Sequence, residues 1–297
     1  MYQGLTPPSS CPSSLVGTTV AVDGSVSNLI RVDPRFYFDG AQDFLFNVSK
    51  GAYLDLRSVN KFGQTSNADS GVATDIWDGA NVTEDDDLWV APTQARVHAI
   101  TSNSDDDNKT ATTGARTIRL WGLKTWDSKE SSEDVTLSGT DAVNTAFSYV
   151  IIHRIKVLTS GAAGPNVGDI FATAATDGTI TAMVIAGNGQ TLMAVYGVPS
   201  SQTAYISQYY ATMLKSGGAA VMGDVTIWVT VDVENQVGVF RNIQTTGPAK
   251  DGSSAVIHAY RPPNPIDGPF IMKMQVVTTA ADSTVNGGFD LILEDTA

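Results

Sequence analysis

The amino-acid sequence predicts an all-β protein with two tandem, jelly-roll-like β-sandwiches that follow an extended N-terminal arm. Three observations lead to this prediction: apolar and polar residues alternate, turn sequences separate the alternating runs, and charged residues are scarce. They make up 16% of the 297 residues, against a typical ~25%. The polar surface must therefore come from Ser, Thr, Asn and Gly, which favours strands and turns over long surface helices.

The alternation has the period of two that is typical of half-buried strands. One face of a predicted strand carries Val225, Ile227, Val229, Val231 and Val233, and the other carries Thr226, Trp228, Thr230 and Asp232. Similar runs surround Ile118 and Leu120, Val135 and Leu137, and Phe270, Met272, Met274 and Val276. The separating turns are Asp177-Gly178, Gly187-Asn188-Gly189, Gly217-Gly218, Asp251-Gly252 and Asp267-Gly268. Many short strands with regular turns indicate sandwiches or closed barrels.

An internal repeat supports two similar domains. Trp89-Val90-Ala91-Pro92 and Tyr196-Gly197-Val198-Pro199 each precede a predicted strand. Later, the segment 155–160 resembles 274–279, and each enters a turn of small residues and then a final strand. We therefore predict an arm over residues 1–84, a first sandwich over 85–180 and a second over 181–297.

The arm contains an aromatic cluster but no long periodic element. We expect these aromatic residues to form an interface with a neighbouring molecule; the alternative is that they fill the core of the adjoining domain. The predicted interface residues are Phe36, Tyr37, Phe38, Phe44 and Phe46. Helices are expected to be short and to lie in the arm or near residues 141–147.

The net charge of −13 and the pI near 4.4 predict a surface that repels nucleic acid and anionic lipid. We therefore expect no direct contact with nucleic acid and no membrane association. The chain lacks any run of ~18 apolar residues, and its Pro- and Ser-rich start does not resemble a secretory signal. Cys11 is the single cysteine, so an internal disulfide bond is impossible.

Motifs for catalysis, cofactors or transition metals are not found, so we expect no enzymatic activity, no cofactor and no metal site. Of the three histidines, His153 is predicted in a core or interface, His98 on the solvent side of a strand, and His258 near a loop. The acidic runs Glu84-Asp85-Asp86-Asp87 and Asp105-Asp106-Asp107-Asn108 are interpreted as solvated loops; the alternative is Ca²⁺ binding, although neither has EF-hand spacing. A pair of carboxylates for glycoside hydrolysis is a further alternative, which no specific spacing in the sequence supports.

Several segments resemble virion structural proteins of tailed phages from marine and freshwater habitats. The resembling segments are Val59-Asn60-Lys61-Phe62-Gly63, Asp75-Ile76-Trp77-Asp78-Gly79, Gly114-Ala115-Arg116-Thr117-Ile118, Gly122-Leu123, residues 133–140, Ala142-Val143, residues 187–196 and Val198-Pro199. They run through about half of the chain and include no catalytic signature. The resemblance implies membership of a phage particle, without a position in it.

Two structural roles follow from this resemblance. The first is a capsid decoration or cement protein, bound to the outside of the shell through its arm; the second is a tail or fibre component that contacts host glycan. An enzyme, such as a surface depolymerase, is a more distant third. The expected partners are further copies of the chain in a homotrimer and the major capsid protein or tail proteins. The expected location is the virion, after synthesis in the bacterial host cytoplasm.

Overall fold

The computed structural model describes residues 16–20, 26–30, 40–81, 88–110, 113–162, 164–215, 221–249 and 255–296. The chain divides into a unit of residues 1–54 and a unit of residues 55–297. In the first unit, the antiparallel strands β1 (Val16–Val20) and β2 (Val26–Ile30) are followed by helix α1 (Gly40–Ser49). The prediction of a short helix in the arm is confirmed, whereas 141–147 contains a short strand instead.

The second unit contains sixteen strands in the part of the chain that is described. The first eight are β3 (Leu56–Ala68), β4 (Ala73–Asp75), β5 (His98–Ser102), β6 (Ala115–Leu123), β7 (Ser131–Thr136), β8 (Val143–Asn144), β9 (Ile151–Ser160) and β10 (Ile170–Ala174). The others are β11 (Ile180–Val184), β12 (Val195–Val198), β13 (Gln202–Lys215), β14 (Gly223–Asp232), β15 (Gln236–Thr246), β16 (Ala255–Asp267), β17 (Phe270–Thr278) and β18 (Ser283–Asp295). A 3-10 turn, Asp78–Asn81, follows β4. The all-β prediction is confirmed.

The strands of this unit form four sheets. Their strand orders are β7-β6-β9, β11-β10-β5-β8, β12-β17-β14-β15 with β4 also paired to β17, and β16-β13-β18-β3. All of the ladders are antiparallel. Antiparallel neighbours need only short connections, which agrees with the frequent turn sequences.

The strand order of two sheets recurs in the other two. The order β7-β6-β9 has its counterpart in β15-β14-β17, and β10-β5-β8 has its counterpart in β18-β13-β16. Each of the six strands from β5 to β10 thus corresponds to the strand eight positions later in the chain. The segments matched in the sequence repeat, 155–160 and 274–279, lie mainly in the corresponding strands β9 and β17. The repeat seen in the sequence therefore coincides with a repeat in strand order.

Among the described residues, buried apolar side chains form two large clusters, of which one draws on two sheets and the other on three. Ile100, Ile118, Leu120, Ile155 and Ala172 belong to one cluster. Tyr209, Val225, Ile227, Met274 and Phe289 belong to the other. The alternation in β14 places Val225, Ile227 and Val229 almost wholly out of solvent, as its pattern predicted.

Four sheets in one body describe this unit better than two clearly separate sandwiches. The reason is that side chains of the later strands pack into the earlier cluster, among them Val195 and Ile271. The predicted boundary after residue 180 falls at the start of β11, which pairs with β10. Residues 56–75 of the predicted arm form β3 and β4, whose hydrogen bonds go to β18 and β17. The division into three domains at these boundaries stays a prediction.

Candidate functional site

The predicted interface residues lie in the first unit, and two of them fall within the described residues. Phe36, Tyr37 and Phe38 lie outside the described residues, so the structure does not place them. Phe44 and Phe46 are on helix α1, with 38% and 59% of their surface exposed.

The α1 patch, as we call it, consists of the exposed apolar side chains on and after this helix. Its members are Phe44, Leu45, Phe46, Tyr53 and Leu54. The rings of Phe44 and Tyr53 lie 5.6 Å apart, and the Lys50 ammonium lies 4.6 Å from the centre of the Phe46 ring. An exposed apolar patch rimmed by a charge is typical of a surface that binds another molecule.

The second candidate is a polar cleft lined by strands of three sheets. Its main members are Arg57 and Lys61 of β3, Glu130 just before β7, His153 and Arg154 of β9, and Tyr196 of β12. The cleft encloses a cavity of about 180 Å³. Three basic side chains surround a single carboxylate there, in a protein whose net charge is −13.

Glu130 is the centre of the hydrogen-bond network in the polar cleft. Its Oε2 lies 2.7 Å from His153 Nε2 and accepts from the Tyr196 hydroxyl at 3.2 Å. Arg57 donates to Glu130 Oε1 at 3.2 Å and to the Tyr196 hydroxyl at 2.7 Å. The imidazole of His153 stacks on the ring of Tyr196 with centroids 4.3 Å apart. These contacts fix side chains from separate sheets in one arrangement.

Burial and neighbouring charges set the ionisation of the cleft. Burial opposes the charge of Glu130, but the hydrogen bond from His153 and the charge of Arg57 outweigh it and lower its pKa to about 2. Burial lowers the pKa of His153, so Nε2 of a neutral imidazole donates to the Glu130 carboxylate. Burial, together with repulsion from Arg154, lowers the pKa of Lys61 to about 7.

Two nitrogens of the cleft are buried and have no hydrogen-bond partner among the described residues. They are Nε of Arg57 and Nδ1 of His153. The Lys61 ammonium donates to the backbone carbonyl of His153. Arg154 lies over the Trp121 ring at 5.3 Å and donates to Gln190 Oε1 at 3.3 Å. With Nε2 as the protonated nitrogen of His153, the unpaired Nδ1 is an acceptor, whereas the unpaired Nε of Arg57 is a donor.

The histidine predictions have mixed outcomes. His153 is buried, as predicted for a core or interface residue. The prediction for His98 is wrong: its side chain is fully buried, and its Nδ1 lies 3.0 Å from the Arg96 carbonyl oxygen. Burial lowers the pKa of His98 to about 4, so it is a neutral core residue. His258 lies in β16 and contacts the rings of Tyr209 and Tyr260.

The acidic run 105–108 has a structural role that its sequence did not reveal. Asp107 is fully buried, and its carboxylate accepts hydrogen bonds from the Ser102 hydroxyl and the backbone amides of Ala115, Val167 and Gly168, at 2.7 to 2.9 Å. The carboxylate of Asp105 accepts from Thr140. These oxygens are engaged by donors that hold three loops together. The other acidic run, 84–87, lies outside the described residues.

Within the described ranges, no group of three or more His, Cys, Asp or Glu side chains is placed to hold a metal ion. In the same ranges, no helix is both long enough and apolar enough to cross a membrane.

Sequence reasoning singled out His153 but missed its partners in the cleft. Glu130 and His153 are 23 residues apart, and Arg57 is 139 residues from Tyr196. No local spacing connects residues at such separations. The sequence offered one signal for the cleft: Lys61 occupies the same face of a predicted strand as Val59 and Gly63, where an apolar residue is expected.

Comparisons with known proteins give little similarity. No protein-family model matches the chain, and no curated protein matches it. Among solved structures, the VP2 subviral particle of infectious bursal disease virus is 10% identical, over 81% of this chain and 71% of that chain, with a TM-score of 0.21. The T=1 particles derived from the same virus are 12% identical, over 81% and 69%, with a TM-score of 0.17. Both TM-scores are below 0.5, so neither likeness shows a shared fold.

Proposed function

We propose that this chain is a non-enzymatic structural protein of a tailed-phage virion, attached to the outside of the capsid shell as a decoration or cement protein. The observation that carries the proposal is the α1 patch, which exposes five large apolar side chains close together in sequence. Such exposure is costly for a free protein in water and is relieved when another molecule covers it.

The strand arrangement supports the same role. The recurrence of strand order fits two tandem jelly-roll-like sandwiches that share buried side chains, since Val195 and Ile271 of the later strands pack into the cluster of the earlier sheets. Antiparallel sheets of long strands such as β16-β13-β18-β3, whose strands have 13 or 14 residues, can present one broad face to a neighbouring molecule. The resemblance of segments such as 59–63 and 187–196 to phage virion proteins adds to this.

The surface charge supports a position away from the genome. A net charge of −13 disfavours contact with the phosphate backbone of packaged DNA. An outer location avoids this repulsion. The partners in this proposal are the major capsid protein and other copies of the same chain.

The copy number per particle tests the proposal. Purified particles of the phage that encodes the chain would be separated on a denaturing gel, and the band would be quantified against the major capsid protein. A decoration protein follows the symmetry of the shell, so hundreds of copies are expected. A few tens of copies would contradict decoration and support the alternative, a tail or fibre component. Absence from the particle would reject both.

A further inference from the structure

We propose that the side chains of Asp75 and Lys273 become joined by an intramolecular amide bond, which cross-links strand β4 to strand β17. This inference does not rest on the proposed function, because it concerns a reaction within the chain alone. Its premises are the contact between the two side chains, their burial, and the hydrogen-bond donors that hold the carboxyl group.

The two side chains meet through the pairing of β4 with β17. Asp75 lies opposite Gln275 in this antiparallel ladder. Lys273 precedes Gln275 by two residues and therefore lies on the same face of β17, and a long side chain can reach across such a diagonal. Lys273 Nζ lies 2.5 Å from Asp75 Oδ2. The nitrogen is thus next to the carboxyl group that it attacks.

Both groups are shielded from water. The side chain of Asp75 is fully buried and that of Lys273 is 7% exposed, and the ring centre of Phe240 lies 4.5 Å from Lys273 Nζ. Two full charges in such a site carry a desolvation penalty, and burial raises the pKa of Asp75. Proton transfer within the pair gives a neutral amine and a neutral acid, which are the reactants for an amide. The amide itself has no charge to bury.

Both carboxyl oxygens of Asp75 have donors in place. The Trp89 backbone amide donates to Oδ2 at 2.8 Å, and Gln275 Nε2 donates to Oδ1 at 3.0 Å. When Lys273 Nζ attacks Asp75 Cγ, the new C–N bond forms and an electron pair moves to Oδ1, where the Gln275 amide stabilises the negative charge as an oxyanion-hole donor does.

The reaction balances without a co-reactant. As the electron pair on Oδ1 returns to form the carbonyl group, the bond from Cγ to Oδ2 breaks. Oδ2 leaves as water with two of the three protons of the original ammonium group, and the third proton stays on the amide nitrogen. The product joins positions that are 198 residues apart in the chain. A covalent link over so long a loop restricts the unfolded chain and retains β4, a strand of three residues, on β17.

Intact-mass spectrometry on the denatured full chain tests this inference, because a covalent bond survives unfolding and an ion pair does not. We expect a mass below that of the linear chain by one water molecule. A proteolytic digest should contain one branched peptide that joins the segments around Asp75 and Lys273. An unchanged mass would overturn the inference and leave the pair as a buried salt bridge. This measurement uses the wild-type protein, so it does not depend on the folding of any variant.

Two lysine variants distinguish the cross-link from other losses of water, such as cyclisation at Asp251-Gly252. Lys273→Met removes the amine but keeps an unbranched side chain, and it should have the mass of the linear chain. The matched control is Lys129→Met. Lys129 also lies 2.5 Å from a carboxylate, that of Asp295, but these side chains are 60% and 28% exposed, so the control should still lose water. A loss of water that persists in Lys273→Met, or that disappears in Lys129→Met, would overturn the assignment.

Discussion

Asp78 is a buried carboxyl whose ionisation opposes folding. Only 1% of its surface is exposed, and burial raises its pKa to about 7, although the backbone amide of Leu192 donates to it at 2.8 Å. The folded state therefore holds a proton that the unfolded chain releases near pH 4. By linkage, the contribution of Asp78 to stability falls as the pH rises from about 4 to about 7.

Asp78→Asn is expected to remove this pH dependence. The amide oxygen can keep the bond from Leu192, and the neutral side chain avoids a cost that reaches ~4 kcal/mol above pH 7, at ~1.4 kcal/mol per pKa unit. Urea unfolding at pH 5 and pH 8 measures the difference. The exposed carboxyl of Asp224 provides the control Asp224→Asn. If both variants follow the wild-type pH profile, Asp78 is not the group responsible.

Glu130 has the opposite effect on the pH dependence of stability. Despite burial, its hydrogen bond with His153 and the charge of Arg57 lower its pKa to about 2. Because the folded pKa is depressed, the stabilisation is present above about pH 4.5 and is lost as the pH falls through about 2. Glu130→Gln should therefore cost ~3 kcal/mol at pH 7, and this cost should shrink on acidification. A pH-independent loss in denaturant titrations would attribute the effect to packing alone.

At the scale of elements, β3 shows why the sequence predicted some strands and not others. In β14 the inward positions are valine and isoleucine, so the alternation was readable from the sequence. In β3 the inward positions are Lys61, Gly63 and Thr65, which are all buried. Their burial follows the period of two, but polarity hides it from a hydropathy pattern. This strand was therefore assigned to the arm, although it pairs with β18.

The same limitation applies to the polar cleft. Its members are brought together by the pairing of sheets and not by spacing along the chain, as the separation of Arg57 from Tyr196 illustrates. A buried polar network of this kind depends on the three-dimensional arrangement of the strands, because each buried donor requires an acceptor at a fixed place. The sequence could predict the apolar clusters because burial of valine or isoleucine needs no specific partner.

Gly63 of β3 has no room for a side chain. A Cβ atom there would lie 2.3 Å from the Ile76 carbonyl oxygen and 2.4 Å from the Ala194 backbone nitrogen. These are backbone atoms, so relief requires movement of strands. Gly63→Ala is expected to destabilise the fold by ~1–3 kcal/mol or more, as overpacking does. The matched control is Gly238→Ala in β15, where a Cβ would meet nothing within 4 Å.

Chemical denaturation of the two glycine variants tests this prediction. The denaturant concentration at the unfolding midpoint reports stability when the dependence of the unfolding free energy on denaturant concentration is unchanged. The control should shift the free energy of unfolding by less than ~0.5 kcal/mol. Equal shifts in both variants would show that β3 is not packed closely against the segments that contain Ile76 and Ala194.

At the scale of the whole molecule, composition favours self-assembly. With 16% charged residues, flat sheet faces rich in Thr, Ser and Asn can be buried against another copy at less desolvation cost than faces rich in Lys and Glu. The predicted homotrimer fits both proposed positions, since three-fold symmetry occurs at local axes of an icosahedral shell and in phage fibres. The α1 patch provides apolar anchors for such contacts, and anchors at a well-packed centre often contribute ~2 kcal/mol or more each.

The trimer prediction is tested by light scattering coupled to size exclusion on the full-length protein. The expected mass is three times that of the 31.3 kDa chain. The double variant Phe44→Ser/Phe46→Ser should dissociate at a higher protein concentration than wild type, because it lacks apolar surface that assembly buries. Its circular dichroism spectrum should match that of wild type. Phe147→Ser, at a phenylalanine in the second unit that is 48% exposed, is the matched control and should remain trimeric. A stable dimer would reject the three-fold arrangement but not the structural role. Dissociation of the control to the same extent as the double variant would instead show that the α1 patch has no special part in assembly.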